Sequence, residues 1–363
     1  MTPQRRWFLV GVGVLLLIAI PVAVRSLPAT ESDVTAADLL AKVQASGSVS
    51  YSGYAEAVGG LQLPVTDRFS DLATLLGERT RLRVWWRSPE SWRVDAIGLT
   101  GETDLIRDLG GLATWEYEAA RVTFTADAPV RLPRTADLVP AVLGRQLLGE
   151  AESDEVARLP AERVAGRDVP GLRLTPRDPQ TTIDHVDAWV DPQTGLVLRV
   201  EVYGAGTSPV MSTSFRSLST EAPALSEGTF TPPPGAEVRV EEAVDIAAAA
   251  DQFAPVRPPG TLVGLDRRPS EGVGAVGDYG RGVTRLVAIP LWDDAADPLR
   301  DQLETTPGAR VGRRGTVVTV GPLGLMLTPN RFETPNWLLA GTVNRQTLAR
   351  AAAELEGAAR VLQ

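Results

Sequence analysis

The single histidine of the 363-residue chain is His185, and cysteine is absent. Paired-histidine zinc sites, thiolate nucleophiles, iron–sulfur clusters, disulfides and cysteine-linked lipid anchors are removed together. A Ser-His-Asp relay would have to run through His185, which shares strand parity with Ile183, Asp187 and Trp189, and no Gly-x-Ser-x-Gly elbow accompanies it. His185 therefore reads as a half-exposed strand residue bonded to a neighbour. Gly272-x-Gly274-x-x-Gly277 has the spacing of a dinucleotide fingerprint. It follows Arg267-Arg268-Pro269-Ser270-Glu271 in place of an apolar strand, and Val283 onward reads as strand, so it is a glycine-rich turn. Asp293, Asp294 and Asp297 lack EF-hand spacing and read as a solvated helix start. No catalytic residue, metal ligand set or cofactor is expected, and the chain reads as a non-enzyme.

The chemistry that remains is apolar recognition. Trp86, Trp92, Trp115, Tyr117, Phe124, Trp189 and Phe215 are the candidates to line a hydrophobic pocket, and five of the eight tryptophans fall between positions 85 and 189. Each aromatic buries ~150–250 Å², so the same residues would serve equally as packed core with no cavity. With 36 Lys+Arg against 45 Asp+Glu the net charge is −9, which makes the body a poor counterion for a phosphate backbone. Nucleic acid is set aside as a partner.

The elements that would position these side chains are mostly strands. Thr35-Ala36-Ala37-Asp38 has the form of a capping box, followed at helical spacing by Ala36, Leu39, Leu40 and Val43, with Gly47 placed to close the helix. The period then switches to two. Leu82, Val84 and Trp86 alternate with arginines, Ser88-Pro89-Glu90-Ser91 turns the chain, and Trp92, Val94 and Ala96 return. A second hairpin runs through Ala113, Trp115 and Tyr117, a turn near Ala119-Ala120, then Val122 and Phe124. Pro140 delays or bends a helix between Thr135 and Gly149. The sheet resumes from Gly171, with a turn at Asp191–Gly195. The prolines of Phe230-Thr231-Pro232-Pro233-Pro234-Gly235 break it, because they cannot supply ladder donors. Beyond an alanine-rich helix at about 241–253 and a proline-rich stretch to Gly260, strands are expected at Val283–Ile289, Thr316–Val320, Leu323–Leu327 and Asn336–Gly341. Helices are expected at Pro298–Glu304 and after Asn344.

Arg5-Arg6 precede Trp7–Val24, eighteen residues without a charge, and Arg25 closes the run. At 1.5 Å per residue that is ~27 Å of helix, close to the roughly 30 Å of a hydrocarbon core. We read an uncleaved single-pass anchor with the body outside the cytoplasm, the alternative being a signal peptide whose cleavage releases the body. The division is 1–29 cytoplasmic stub and anchor or signal, 30–240 first domain, 241–260 helical and proline-rich linker, and 261–363 smaller α+β domain.

Four segments occur in order: Val84-Trp85-Trp86-Arg87-Ser88-Pro89-Glu90-Ser91-Trp92-Arg93-Val94, then Thr114-Trp115-Glu116-Tyr117-Glu118. These are followed by Ala188-Trp189-Val190-Asp191-Pro192-Gln193-Thr194-Gly195-Leu196-Val197-Leu198-Arg199-Val200-Glu201, and Phe230-Thr231-Pro232-Pro233-Pro234-Gly235-Ala236. Over roughly residues 34–240 this resembles the LolA-like superfamily of lipoprotein-sorting and lipid-carrier proteins, and within it the RseB/MucB-like sigma-factor regulators. The resemblance implies an α+β fold: a curved, antiparallel half-barrel sheet covered by helices, followed by a smaller domain. It also implies a non-enzymatic protein that senses or carries a hydrophobic ligand or lipidated protein, and a membrane partner, either an anti-sigma factor or a transporter. The alternative is a structural or assembly subunit with a fully packed sheet, docked on a membrane transporter or envelope complex.

Overall fold

Thr35 opens the first helix of the computed structural model. Its hydroxyl accepts the Asp38 N–H at 3.1 Å, and α1 (Ala36–Ala45) buries Leu39, Leu40 and Val43. The helix closes at Ser46, whose hydroxyl donates to the Val43 carbonyl at 2.7 Å, and not at Gly47. The structure describes Leu17 and residues 28–61, 75–98, 101–108, 110–125, 131–241, 256–269, 274–330, 335–358 and 360–361. The run Trp7–Val24 lies outside the described residues apart from Leu17. Among the described residues no helix is long and apolar enough to cross a membrane.

Twelve strands share one sheet. They are β1 (Tyr51–Gly59), β2 (Arg79–Ser88), β3 (Ser91–Ile97), β4 (Glu102–Asp108), β5 (Gly111–Glu116) and β6 (Arg121–Thr125), then β7 (Val156–Val164), β8 (Arg167–Leu174), β9 (His185–Val190), β10 (Val197–Tyr203), β11 (Met211–Ser219) and β12 (Glu237–Glu241). The order is β12-β6-β5-β4-β3-β2-β1-β11-β10-β9-β8-β7, so the sheet is unclosed and ends in β12 and β7. Every pairing is antiparallel except that of β12 with β6.

Four strands of this sheet were not read from the sequence: β1, β4, β7 and β12. In β4 the run Asp104-Leu105-Ile106 is buried without alternation, so no period marks it. β7 begins fifteen residues before the expected restart at Gly171. It is an edge strand, mostly half-exposed, with Pro160 in a register break between Leu159 and Glu162. β12 follows the proline break directly and owes its place to its pairing with β6.

A 3₁₀ turn (Thr135–Leu138) leads into α2 (Pro140–Leu148), where Pro140 takes the first position, which needs no N–H partner. Gly144 lets this helix lie close on the sheet: a Cβ there would come within 2.6 Å of the Val197 side chain. Leu39, Val43, Leu138 and Leu148 from these elements join Leu82, Val84, Val94, Leu172, Ala188 and Val200 of the strands in one core. One face of the sheet is thus covered by helices.

Beyond Glu241 the alanine-rich segment to 253 lies outside the described residues. Short pairs follow: β13 (Val256–Arg257) with the terminal β22 (Arg360–Val361), and β14 (Thr261–Leu262) with β15 (Leu265–Asp266). A six-stranded sheet then comprises β16 (Gly277–Arg281), β17 (Thr284–Leu291), β18 (Arg310–Gly312), β19 (Gly315–Val320), β20 (Leu323–Leu327) and β21 (Asn336–Gly341), in the order β16-β17-β21-β20-β19-β18. α3 (Asp293–Thr305) begins five residues before Pro298: Asp293 and Asp294 suit its first turn, and the proline lies inside the helix, where it supplies no N–H. α4 (Arg345–Ala358) is capped by Asn344, whose side-chain oxygen accepts the Thr347 N–H at 3.0 Å.

The two sheets meet at the β16–β17 turn and at the β8–β9 connection. Arg281 donates to both oxygens of Glu155, at 2.7 and 3.1 Å, and the Gly282 N–H donates to Glu150 at 2.7 Å. Val283 is part of the first sheet's core. Thr182 N–H donates to the Thr342 carbonyl at 2.9 Å, and Asn344 N–H to Gln180 at 2.8 Å. Burial works against the Glu155 charge, but Arg281 outweighs it and the carboxyl sits below its usual range.

Candidate functional site

Cross-strand neighbours in register share a face, so the strand registers sort the candidate aromatics. Trp86 opposes Trp92, and Tyr51 opposes Trp86. Phe215 opposes Ala55, two residues along β1 from Gly53 and on the same side as Tyr51. These four rings make a row across β11, β1, β2 and β3 under the helices. Trp86 stacks on Trp92 at 5.5 Å and 2°, Tyr51 on Trp86 at 6.0 Å and 5°, and Phe215 meets Tyr51 edge-on at 5.7 Å. All four are buried, and Trp92 donates its indole N–H to the Pro89 carbonyl at 3.0 Å. Tyr51 was missed from sequence. Its hydroxyl is buried with no hydrogen-bond partner among the described residues, and burial pushes the phenol far above its usual range.

Trp115, Phe124 and Trp189 lie on the other face. Trp115 opposes Asp104, which opposes Asp95, which opposes Arg83; Phe124 opposes Ala113 in the same series. Trp115, Ile106, Ala113 and Val122 form a separate small core, with Phe124, Phe230 and Ala236 packed against it. Phe230 lies 5.6 Å from Trp115, so the proline-rich segment is a strap over this end of the sheet. Trp189 opposes Arg199, whose guanidinium sits 4.7 Å above its ring, and donates its N–H to the Pro160 carbonyl at 3.3 Å. Tyr117 is at the β5–β6 turn and 68% exposed. The seven candidates therefore do not converge on one place.

The face opposite the helices also carries a charged cluster. Asp95 and Asp104 face each other across β3 and β4, 0% and 4% exposed. Arg93 spans them, with Nε 2.6 Å from Asp95 and Nη2 2.7 Å from Asp104; Arg83 reaches Asp95 at 3.2 Å and pairs with Glu102. Both guanidiniums lie within cation–π range of Trp85. One oxygen from each of Asp95, Glu102 and Asp104 falls within 4.8 Å of the others. Two arginines already occupy this group, so a cation would have to displace them. Burial, with the adjacent Asp95 carboxylate, raises the Asp104 acid to about 7, Arg93 opposing. The cluster escaped the sequence because the β3–β4 register is invisible there.

His185 binds Asp184 at 2.6 Å and stacks on Tyr203 at 4.2 Å. Between the sheets lies a cavity of about 80 Å³ bordered by Leu147, Glu155, Leu174, Arg281 and Val283. Small-molecule sites usually span ~300–1,000 Å³, so this space suits ordered water.

The large sheet is open, has one face covered by helices and is strapped at Trp115. Residues 105–234, from β4 to the strap, match the family model of the MucB/RseB N-terminal domain. Over these residues the chain is RseB-like. Among solved structures, MucB in complex with MucA(peri) is 18% identical with a TM-score of 0.49, covering 87% of this chain and 97% of that one. The MucA/MucB complex of Pseudomonas aeruginosa is also 18% identical, with a TM-score of 0.49 and coverage of 87% and 96%. A LolA superfamily protein of Nitrosomonas europaea is 13% identical, with a TM-score of 0.25 and coverage of 54% and 98%. No curated protein matches the chain.

Proposed function

We propose that this chain is a non-enzymatic, extracytoplasmic regulatory binding protein, held to the membrane by Trp7–Val24. Its partner is the extracytoplasmic segment of a membrane-bound anti-sigma factor, and its first domain, residues 30–240, takes a hydrophobic ligand such as an acyl chain. The observation that carries this reading is the MucB/RseB match over residues 105–234, on a sheet with one face covered by helices. MucB itself is found in complex with MucA(peri). Native mass spectrometry of residues 30–363 should detect a co-purifying lipid, and an acyl-chain probe should bind saturably. Absence of both removes the lipid ligand. Lack of measurable affinity for an anti-sigma extracytoplasmic segment removes the regulatory partner.

A second reading is favoured by one specific feature. Phe215, Tyr51, Trp86 and Trp92 are stacked on one another and buried, as in a packed core. On that reading the protein is a structural subunit docked on a membrane complex. Trp92→Ala separates the two: a carrier loses probe affinity beyond its loss of stability, whereas a packed sheet loses ~3–5 kcal/mol and binds no probe beforehand.

A further inference from the structure

The segment that leaves the proposed anchor is stitched to one edge of the large sheet, and the order of the stitches gives its direction. Thr30 N–H donates to Asp168 on β8 at 3.1 Å. The Glu31 carboxylate accepts the Ala161 N–H of β7 at 2.8 Å, and Arg158, further back on β7, donates to the Ser32 carbonyl at 3.2 Å and to that of Val34. As the chain advances from Thr30 to Val34 it therefore runs away from the β7–β8 hairpin tip, where Ala165 and Gly166 have φ of 50° and 77°. Thr30 itself lies at the tip side of this edge.

From Val24 to Thr30 there are six residue steps, at most ~22 Å of extended chain. That tether is shorter than the strand beside it: β7 has nine residues, whose eight steps span about 26 Å at 3.3 Å per residue. The tip end also carries the Asp191–Gly195 turn, since Arg167 binds Asp191 at 2.6 Å across it. The opposite strand ends, Glu155 before β7 and Gln180–Thr182 after β8, hold the second sheet through Arg281, Thr342 and Asn344.

We propose that the strand ends bearing the Val164–Arg167 tip and the Asp191–Gly195 turn face the lipid surface, and that the second sheet is held at the membrane-distal end. The inference rests on the anchor reading of Trp7–Val24. A partner that engages the second sheet must accordingly extend at least a strand's length out from the bilayer.

The native chain has no cysteine, so single labels are unambiguous. Gln193→Cys, on the turn, and Val311→Cys, 67% exposed in the second sheet, would each be labelled with a donor dye in the full chain. The chain would then be reconstituted into phosphatidylcholine vesicles carrying rhodamine-phosphatidylethanolamine. Energy transfer to the lipid acceptor should be several-fold greater from position 193 than from 311. Equal or reversed transfer from protein that floats with the vesicles overturns the orientation and leaves the anchor standing. Protein that fails to float overturns the anchor and the orientation with it. Circular dichroism matched to the unlabelled chain confirms that both variants are folded.

Discussion

Asp104 offers a test in which the sign of a pH effect is fixed by geometry. Its carboxyl is buried against Asp95, so the proton that an exposed aspartate loses near 3.8 is held here to about 7. Between those values the folded protein binds more protons than the unfolded chain, and stability must fall as pH rises. Each pH unit of that interval is worth about 1.4 kcal/mol, so the full span comes to on the order of 4 kcal/mol, present below pH 4 and lost by pH 7. Asp104→Asn places an uncharged group of the same shape opposite Asp95, and its amide can donate to that carboxylate as the retained proton does. Guanidinium unfolding between pH 5 and 8 avoids the range where Glu150, Glu155 and Asp168, all held below their ordinary values, would titrate. The native chain should lose stability from pH 5 to about 7 and then level off. The variant should lose a few kcal/mol less and should be the more stable protein at pH 8. Parallel pH profiles for the two proteins, or a carboxyl carbon of Asp104 that titrates below pH 5, would refute the reasoning.

Three further outcomes follow from packing. Gly144→Ala should cost about 1–3 kcal/mol by driving a methyl into Val197, and Val197→Ala in the same chain should recover part of the loss in thermal unfolding. Glu155→Gln, by weakening the paired hydrogen bonds to Arg281, should cost about 1.5–3 kcal/mol and increase hydrogen exchange across Gly277–Leu291 more than across β1–β3. Trp115→Ala should cost about 3–5 kcal/mol and expose the Phe230–Ala236 strap to protease while the four-ring row on the opposite face keeps its near-ultraviolet signal.

The legible parts of the fold were those written in local periodicity. The Leu82–Trp86 and Trp92–Ala96 hairpin, the Thr35 and Asn344 caps, and the strands at Leu323–Leu327 and Asn336–Gly341 all follow from residues a few positions apart. Parity within a strand says which side chains share a side of that strand; it does not say which side of the sheet that is. Trp115 and Trp189 alternate as cleanly as Trp92, yet the β4–β5 and β9–β10 registers turn them to the face opposite the helices. The same limit hid the Asp95–Asp104 pair, because opposition across β3 and β4 is a property of register alone. Strands such as β7, with Pro160 and few buried positions, carry no strong period to read.

The seam of the large sheet has a consequence for how the molecule comes into being. β2 to β6 and β7 to β11 are each runs of neighbouring hairpins, which form from contacts close in sequence. They are joined only through β1 and β11, where Ser52 pairs with Ser219, and the far edge is finished only when Glu237 reaches Arg121. Closing loops of that length is entropically expensive and slow compared with hairpin formation. In a chain that emerges through a membrane N-terminus first, β1 must wait with one side unpaired until residue 219 arrives. During that interval its unpaired backbone, and the apolar side of β2 and β3 beside it, are what a chaperone or protease would encounter.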